Sequence, residues 1–161
     1  MEHRDSETQR IIKGEEMAHL NQLSRDFIAA AIEVHRELGP GLLESVYEVC
    51  LCEELLMRGI PFQTQVDLPL LYKGRDTGKT FRLDMLIDDT LIVELKAVEE
   101  LKSVHEVQLL TYLKLTNKPI GLLVNFNVPY LRDGVKRKIN GKIEYKNQSV
   151  LKQVLFLSWN F

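Results

Sequence analysis

The chain has 161 residues, 45% of them apolar and 27% charged, with a net charge of −2. That length suits one domain, and the apolar fraction excludes wholesale disorder. No apolar run approaches the roughly 20 residues that cross a bilayer, the polar start MEHRDSETQR is no signal peptide, and Cys50 and Cys52 offer neither a disulfide framework nor a zinc spacing. A cytoplasmic protein with reduced thiols and no membrane partner is expected. The charge is unevenly spread: residues 1–60 carry 12 Asp/Glu against 6 Lys/Arg, whereas residues 131–161 carry 2 against 7. An acidic front and a basic end allow a groove for a polyanion without demanding one.

Residues 1–22 are polar and aperiodic, which predicts a frayed or weakly helical leader. From Asp26 the pattern turns helical, with Phe27, Ala30, Ala31, Val34 and Leu38 at spacings of three and four. Gly39-Pro40-Gly41 ends that helix. A second helix follows, with Leu42, Leu43, Val46, Tyr47, Cys50, Leu51, Leu55 and Leu56 as its apolar stripe and Gly59 at its close. Phe62 to Tyr72 predicts a strand, in which Pro69 argues for an edge or a bulge. Lys73 to Gly78 is expected as a loop. Phe81–Ile87 and Leu91–Leu95 are β-rich runs joined by Asp88-Asp89-Thr90.

Val104 to Leu115 predicts a third helix, with Val104, Val107, Leu110 and Leu113 on or near one face, broken at Lys118-Pro119. Ile120 to Phe126 suits a buried strand. Val135–Ile139 and Lys142–Tyr145 around Asn140-Gly141 read as a small basic hairpin. Val150–Phe161 is apolar and is expected to dock on the body through residues such as Trp159 and Phe161. The expected organisation is a polar leader over 1–22 and a single mixed α/β domain over 23–161, with its core at 24–130 and the basic hairpin and tail at 131–161.

The chemistry concentrates between Arg82 and Ala97. In Leu91-Ile-Val-Glu-Leu-Lys, Glu94 and Lys96 share a strand face because side chains alternate with period two. With a three-residue loop at 88–90, residue 87 faces 91, 86 faces 92, 85 faces 93 and Asp84 faces Glu94. Directly opposed residues have Cβ atoms roughly 4.5–5.5 Å apart. Two carboxylates at that spacing repel unless a divalent cation lies between them; a two-residue loop would make the pair diagonal. The competing account is a structural Glu94–Lys96 ion pair with Asp84 merely opening a strand.

Two more pieces bear on the same place. Glu44 and Tyr47 lie three apart and share a helix face, although Glu44 would also suit a helix N-terminus as a simple first-turn carboxylate. Gln108 and Tyr112 lie four apart on the later helix, where a half-exposed polar pair is the alternative. His105 reads as an ordinary helix-surface histidine, and Cys50 and Cys52 as near-core thiols.

Asp84…Glu94-Leu-Lys96 resembles the motif of the PD-(D/E)xK phosphodiesterase superfamily. Gly41…Glu44…Tyr47 resembles the signature of its prokaryotic GxxExxY branch, and Gln108…Tyr112 the QxxxY motif of RecB-type nucleases. The resemblance implies a restriction-endonuclease-like core: a mixed sheet of about four strands flanked by helices. It implies Mg²⁺ (or Mn²⁺) held by Glu44, Asp84, Glu94 and the Leu95 carbonyl, since hard cations take oxygen ligands. It also implies a catalytic set of Glu44, Asp84, Glu94, Lys96, Gln108 and Tyr112. The expected activity is metal-dependent phosphodiester hydrolysis, with DNA favoured, RNA left open and a homodimer left open. Outside the resemblance, the basic charge of the end makes Lys136, Arg137 and Lys138 expected phosphate contacts, the rival being a solvated hairpin face. The main alternative is a nuclease-fold binding or assembly module of weak or no catalysis. A small-ligand domain is disfavoured, because no Gly-rich phosphate loop is present.

Overall fold

The computed structural model describes residues 2–140, with side chains from Gly14 onward. Three helices and a five-stranded sheet follow in the order α1 (Glu2–Leu38), α2 (Glu44–Met57), β1 (Phe62–Tyr72), β2 (Arg75–Ile87), β3 (Leu91–Lys96), α3 (Ser103–Thr116), β4 (Ile120–Asn125), a 3₁₀ turn at Leu131–Gly134 and β5 (Val135–Ile139). The sheet order is β1-β2-β3-β4-β5, antiparallel throughout except for the parallel β3–β4 pair that α3 connects. This is the mixed α/β architecture expected, with one strand more than the sequence suggested. The extra strand is β5, expected as half of a separate hairpin. It instead extends the main sheet beside β4. The other half of that hairpin and the apolar segment Val150–Phe161 lie outside the described residues.

The polar leader is not a separate segment: α1 runs unbroken from Glu2. Leu20 and Leu23 are buried with Phe27, Ala30, Ala31 and Val34, so the three-and-four spacing starts earlier than Asp26 and is masked by polar neighbours. Gly39 and Gly41, at φ of +71° and +94°, turn the chain into α2. Pro69 sits on edge strand β1 beside a register shift, as its missing N–H requires. The loop expected over 73–78 is only a two-residue turn. Lys73 and Gly74 both have positive φ (50° and 77°), the sign pattern of a tight hairpin turn, and β2 already starts at Arg75.

Two apolar layers enclose the sheet. On one face α1 and α2 pack Phe27, Tyr47, Leu51 and Leu55 against Met85, Leu91, Val93, Leu95, Leu122 and Val124. On the other, Leu109, Tyr112 and Leu113 of α3 cover Leu83, Leu86, Ile92 and Leu123. The helix stripes are narrower than predicted. Leu43 and Leu56 of the α2 stripe, and Val104 and Val107 of α3, are exposed, because each helix lies on the sheet through one narrow row of residues. Gly121 lets α3 approach closely: a Cβ there would lie 2.7 Å from Leu109 Cδ1 and 3.3 Å from the Ile92 carbonyl oxygen. Among the described residues no helix is long and apolar enough to cross a membrane.

Candidate active site

The site grows from an interruption in the β2–β3 ladder. Met85 pairs with Val93, Leu86 with Ile92 and Ile87 with Leu91, the register that a three-residue loop dictates. Beyond Met85 the ladder stops and two carboxylates take its place. The Asp84 N–H donates to Glu94 Oε1 at 3.2 Å, and the Leu95 N–H donates to Asp84 Oδ2 at 2.8 Å. Each acid therefore satisfies a backbone donor that the splayed strands would leave orphaned. Leu83 and Met85 belong to opposite apolar layers, so the alternation of β2 slips at Asp84. Across the hairpin, Gln65 has a φ of +51° and drops out of the β1–β2 register at the same level.

Glu94 is 3% exposed. Burial, and then the negative charge of Asp84, push its carboxyl up to about 8, against a smaller opposing pull from Lys96. Asp84 and Glu94 meet as expected, though through each other's backbone amides and not as a directly opposed ladder pair, and the cost of charging both is met by Glu94 holding its proton to about 8. The alternative of a simple Glu94–Lys96 ion pair is not seen, since Lys96 forms no ion pair with a described residue. Leu95 lies between the two, its side chain buried toward α1 and α2 and its amide on Asp84.

Glu44 opens α2, and a half-buried environment followed by the charge of Asp84 raises its carboxyl, while Lys96 lowers it. Asp84 and Lys96 are thus the charges outside α2 that act on Glu44. Tyr47, three residues on, does not enter the site. It is fully buried, stacks on Phe126 at 4.4 Å, donates its hydroxyl proton to the Gly39 carbonyl at 2.6 Å and accepts the Leu42 N–H at 3.1 Å. The three motif residues therefore divide the labour: Gly41 makes the turn, Tyr47 pins it, and Glu44 starts the helix that the turn aims.

From the α3 side, Gln108 donates to the Tyr112 hydroxyl at 2.9 Å, so the two share a face as their spacing required. Burial and the charges of Glu94 and Asp84 raise the Tyr112 phenol, against the hydrogen bond from Gln108. Asn125, which the sequence reading did not single out, is opposite Lys96 in the β3–β4 register. It is buried, and it bonds both the N–H and the carbonyl of Val98 at 3.0 and 2.9 Å. It thereby fixes the chain that leaves the Lys96 strand. A lone Asn ending an apolar run carries no sequence signal for that role.

The three expected phosphate contacts lie on β5 and have internal partners. Lys136 and Lys138 both bond Glu106 of α3, whose carboxyl they hold down at about 2. Arg137, on the opposite face of the strand, bonds Asn21 of α1. His105 caps α3, its Nδ1 accepting the Lys102 N–H at 3.1 Å. Cys50 and Cys52 are half-buried free thiols against the core.

Among the described residues no three carboxylate, imidazole or thiol side chains converge tightly enough to hold an ion alone. The donor chemistry at Asp84 and Glu94 nevertheless fits a hard divalent cation. Two carboxyl groups are held together, one of them nearly inaccessible, and such ions take one or two carboxylates and keep several waters. No curated protein and no solved structure matches the chain. Residues 21–138 match the PD-(D/E)XK nuclease superfamily, a stretch that spans every residue of the acidic site and both helices that flank it. The chain belongs to the PD-(D/E)XK nuclease superfamily.

Proposed function

We propose that the protein is a metal-dependent nuclease that hydrolyses phosphodiester bonds in DNA, and that it falls in the GxxExxY branch with a QxxxY element on α3. The observation that carries this reading is the reciprocal Asp84–Glu94 arrangement beside Lys96. A fold does not maintain two carboxylates against each other in a buried place without a compensating cation unless the repulsion serves a site.

Asp84, Glu94, the Leu95 carbonyl and Glu44 would hold a Mg²⁺ or Mn²⁺ ion. When bound, such an ion neutralises the scissile phosphate and makes its water acidic. The chain's own groups do the rest. Lys96 follows Glu94 by two residues on one strand face, so its ammonium is directed at the same phosphate and stabilises the charge that develops there. Asp84 and Glu94 are held by backbone amides, so neither must reorganise on binding. The Gln108–Tyr112 pair supplies an amide and a hydroxyl for a non-bridging oxygen or for the sugar–phosphate backbone.

The test is a panel of single- and double-stranded DNA and RNA incubated with the full chain, with Mg²⁺ or with a chelator. Cleavage of DNA in Mg²⁺ and none in chelator is expected. Binding without cleavage on every substrate would replace this reading with that of a nuclease-fold binding module.

A further inference from the structure

The strand that carries Asp84 continues well past the body of the protein. From Phe81 and Leu83, which pack under α3, β2 runs back through Arg75 to the Lys73-Gly74 turn and returns as β1. Every residue from Leu71 to Thr80 is exposed. The tip is nonetheless built: the Thr77 hydroxyl donates to the Leu70 carbonyl at 2.8 Å, the Gly78 N–H donates to Asp76 Oδ1 at 2.8 Å, and the Lys79 N–H donates to Thr77 Oγ1 at 3.2 Å. A braced, uncovered two-stranded ribbon is costly to leave in water unless something binds along it.

Its charge indicates what binds. The tip carries Lys73, Arg75 and Lys79 against the single carboxylate of Asp76, which is engaged in capping Gly78. None of the three cations forms an ion pair with a described residue, whereas Arg82, nearer the body, is paired to Asp67 at 2.9 Å. The Lys73 ammonium instead lies 5.4 Å from the centre of the Tyr72 ring, itself 66% exposed. Unpaired cations beside an exposed aromatic ring suit a sugar–phosphate backbone.

We propose that the β1–β2 hairpin is an arm that grips the phosphate backbone of a nucleic-acid duplex beyond the point of cleavage. The identity of the duplex as substrate rests on the nuclease reading above. Arg75 lies nine residues from Asp84 on one strand, a reach of up to about 30 Å at about 3.3 Å per residue. That corresponds to about nine base pairs at about 3.4 Å each. The arm therefore contacts long duplexes and misses short ones, and it supplies the basic surface that β5, bonded to Glu106 and Asn21, offers less freely.

The test is equilibrium binding of the full chain, in chelator, to labelled duplex DNA of about 6 base pairs (closed as a hairpin stem) and about 30 base pairs across a salt series, the first well short of the reach above and the second well beyond it. Wild type is compared with the triple variant Lys73→Ser, Arg75→Ser, Lys79→Ser. On the long duplex the variant should bind at least tenfold more weakly, with a log K against log salt slope flatter by roughly 2 to 3. On the short duplex the two should differ little. Equal slopes and affinities at both lengths would overturn the arm, as would failure of the wild type to bind the long duplex. Because binding is read without metal, an arm-dependent slope from a chain that never cuts would sustain the arm and remove the nuclease reading. Length-independent binding by a chain that does cut would do the reverse.

Discussion

Asp84 and Glu94 explain each other. Neither is a salt-bridged surface acid, and each accepts a backbone N–H that a regular ladder would have bonded elsewhere. The raised Glu94 carboxyl fixes the sign of a stability change. The folded state binds this proton more tightly than the unfolded chain, so between the ordinary value and about 8 the folded form carries more protons. Stability from this group is complete at acid pH and is lost as pH rises through about 8. Denaturant melts in chelator should therefore show stability falling from pH 5 to pH 8.5, and Glu94→Gln should flatten that fall; an unchanged profile in the variant would place the titration elsewhere. Lys96→Ala should fold normally yet lose cleavage by about a hundredfold or more, checked by single-turnover rates beside circular dichroism. The spacing of Glu94 and Lys96 and the register as far as Met85–Val93 are legible in the sequence because period two and a three-residue loop leave few choices. The backbone bonds of the two acids are not legible, because they arise from the splay of the strands.

At the scale of elements, the site is assembled by α2 and α3 reaching a sheet end. The turn before α2 depends on Tyr47, which bridges Gly39 and Leu42. Tyr47→Phe leaves a buried carbonyl and an N–H with one partner fewer and should cost about 1–3 kcal/mol, with a larger loss in Mg²⁺ affinity than in fold, because Glu44 starts the helix that the turn directs. Calorimetric Mg²⁺ titration beside a thermal melt separates the two. Gly134 abuts Asn125: a Cβ there would stand 2.1 Å from the Asn125 carbonyl oxygen, a backbone atom. Gly134→Ala should therefore destabilise the fold by at least about 1–3 kcal/mol. It should do so more than Gly121→Ala, whose nearest obstacle is the movable end of Leu109. Element types were readable from periodicity, yet two boundaries were not. The start of α1 was hidden because residues 1–22 read as polar and aperiodic, and the Lys73-Gly74 turn by a polar ribbon that no core covers.

At the scale of the whole molecule, the far edge of the sheet is tied to α3 by Glu106, which bonds Lys136 and Lys138 of β5. Its carboxyl is held at about 2, below the unfolded value, so its contribution is present above the ordinary carboxylate range and is lost as pH falls toward about 2. Glu106→Gln should lower stability at neutral pH and reduce the further loss on acidification, read from melts between pH 6 and pH 3; equal losses in both proteins would show that the tie does not matter. The charge asymmetry of the chain suggested a basic end available to a polyanion. Counting does not show that Lys136, Arg137 and Lys138 of that end have partners in Glu106 and Asn21, nor that Lys73, Arg75 and Lys79 form no ion pair with a described residue although residues 61–130 are near charge balance. The central claim is that Asp84 and Glu94 form a metal-dependent cleavage centre. It is tested most directly by single-turnover cleavage of labelled duplex DNA in saturating Mg²⁺ by wild type, Asp84→Asn and Glu94→Gln. The account predicts cleavage by wild type and a loss of about a hundredfold or more in each variant; cleavage by either variant at the wild-type rate would contradict it.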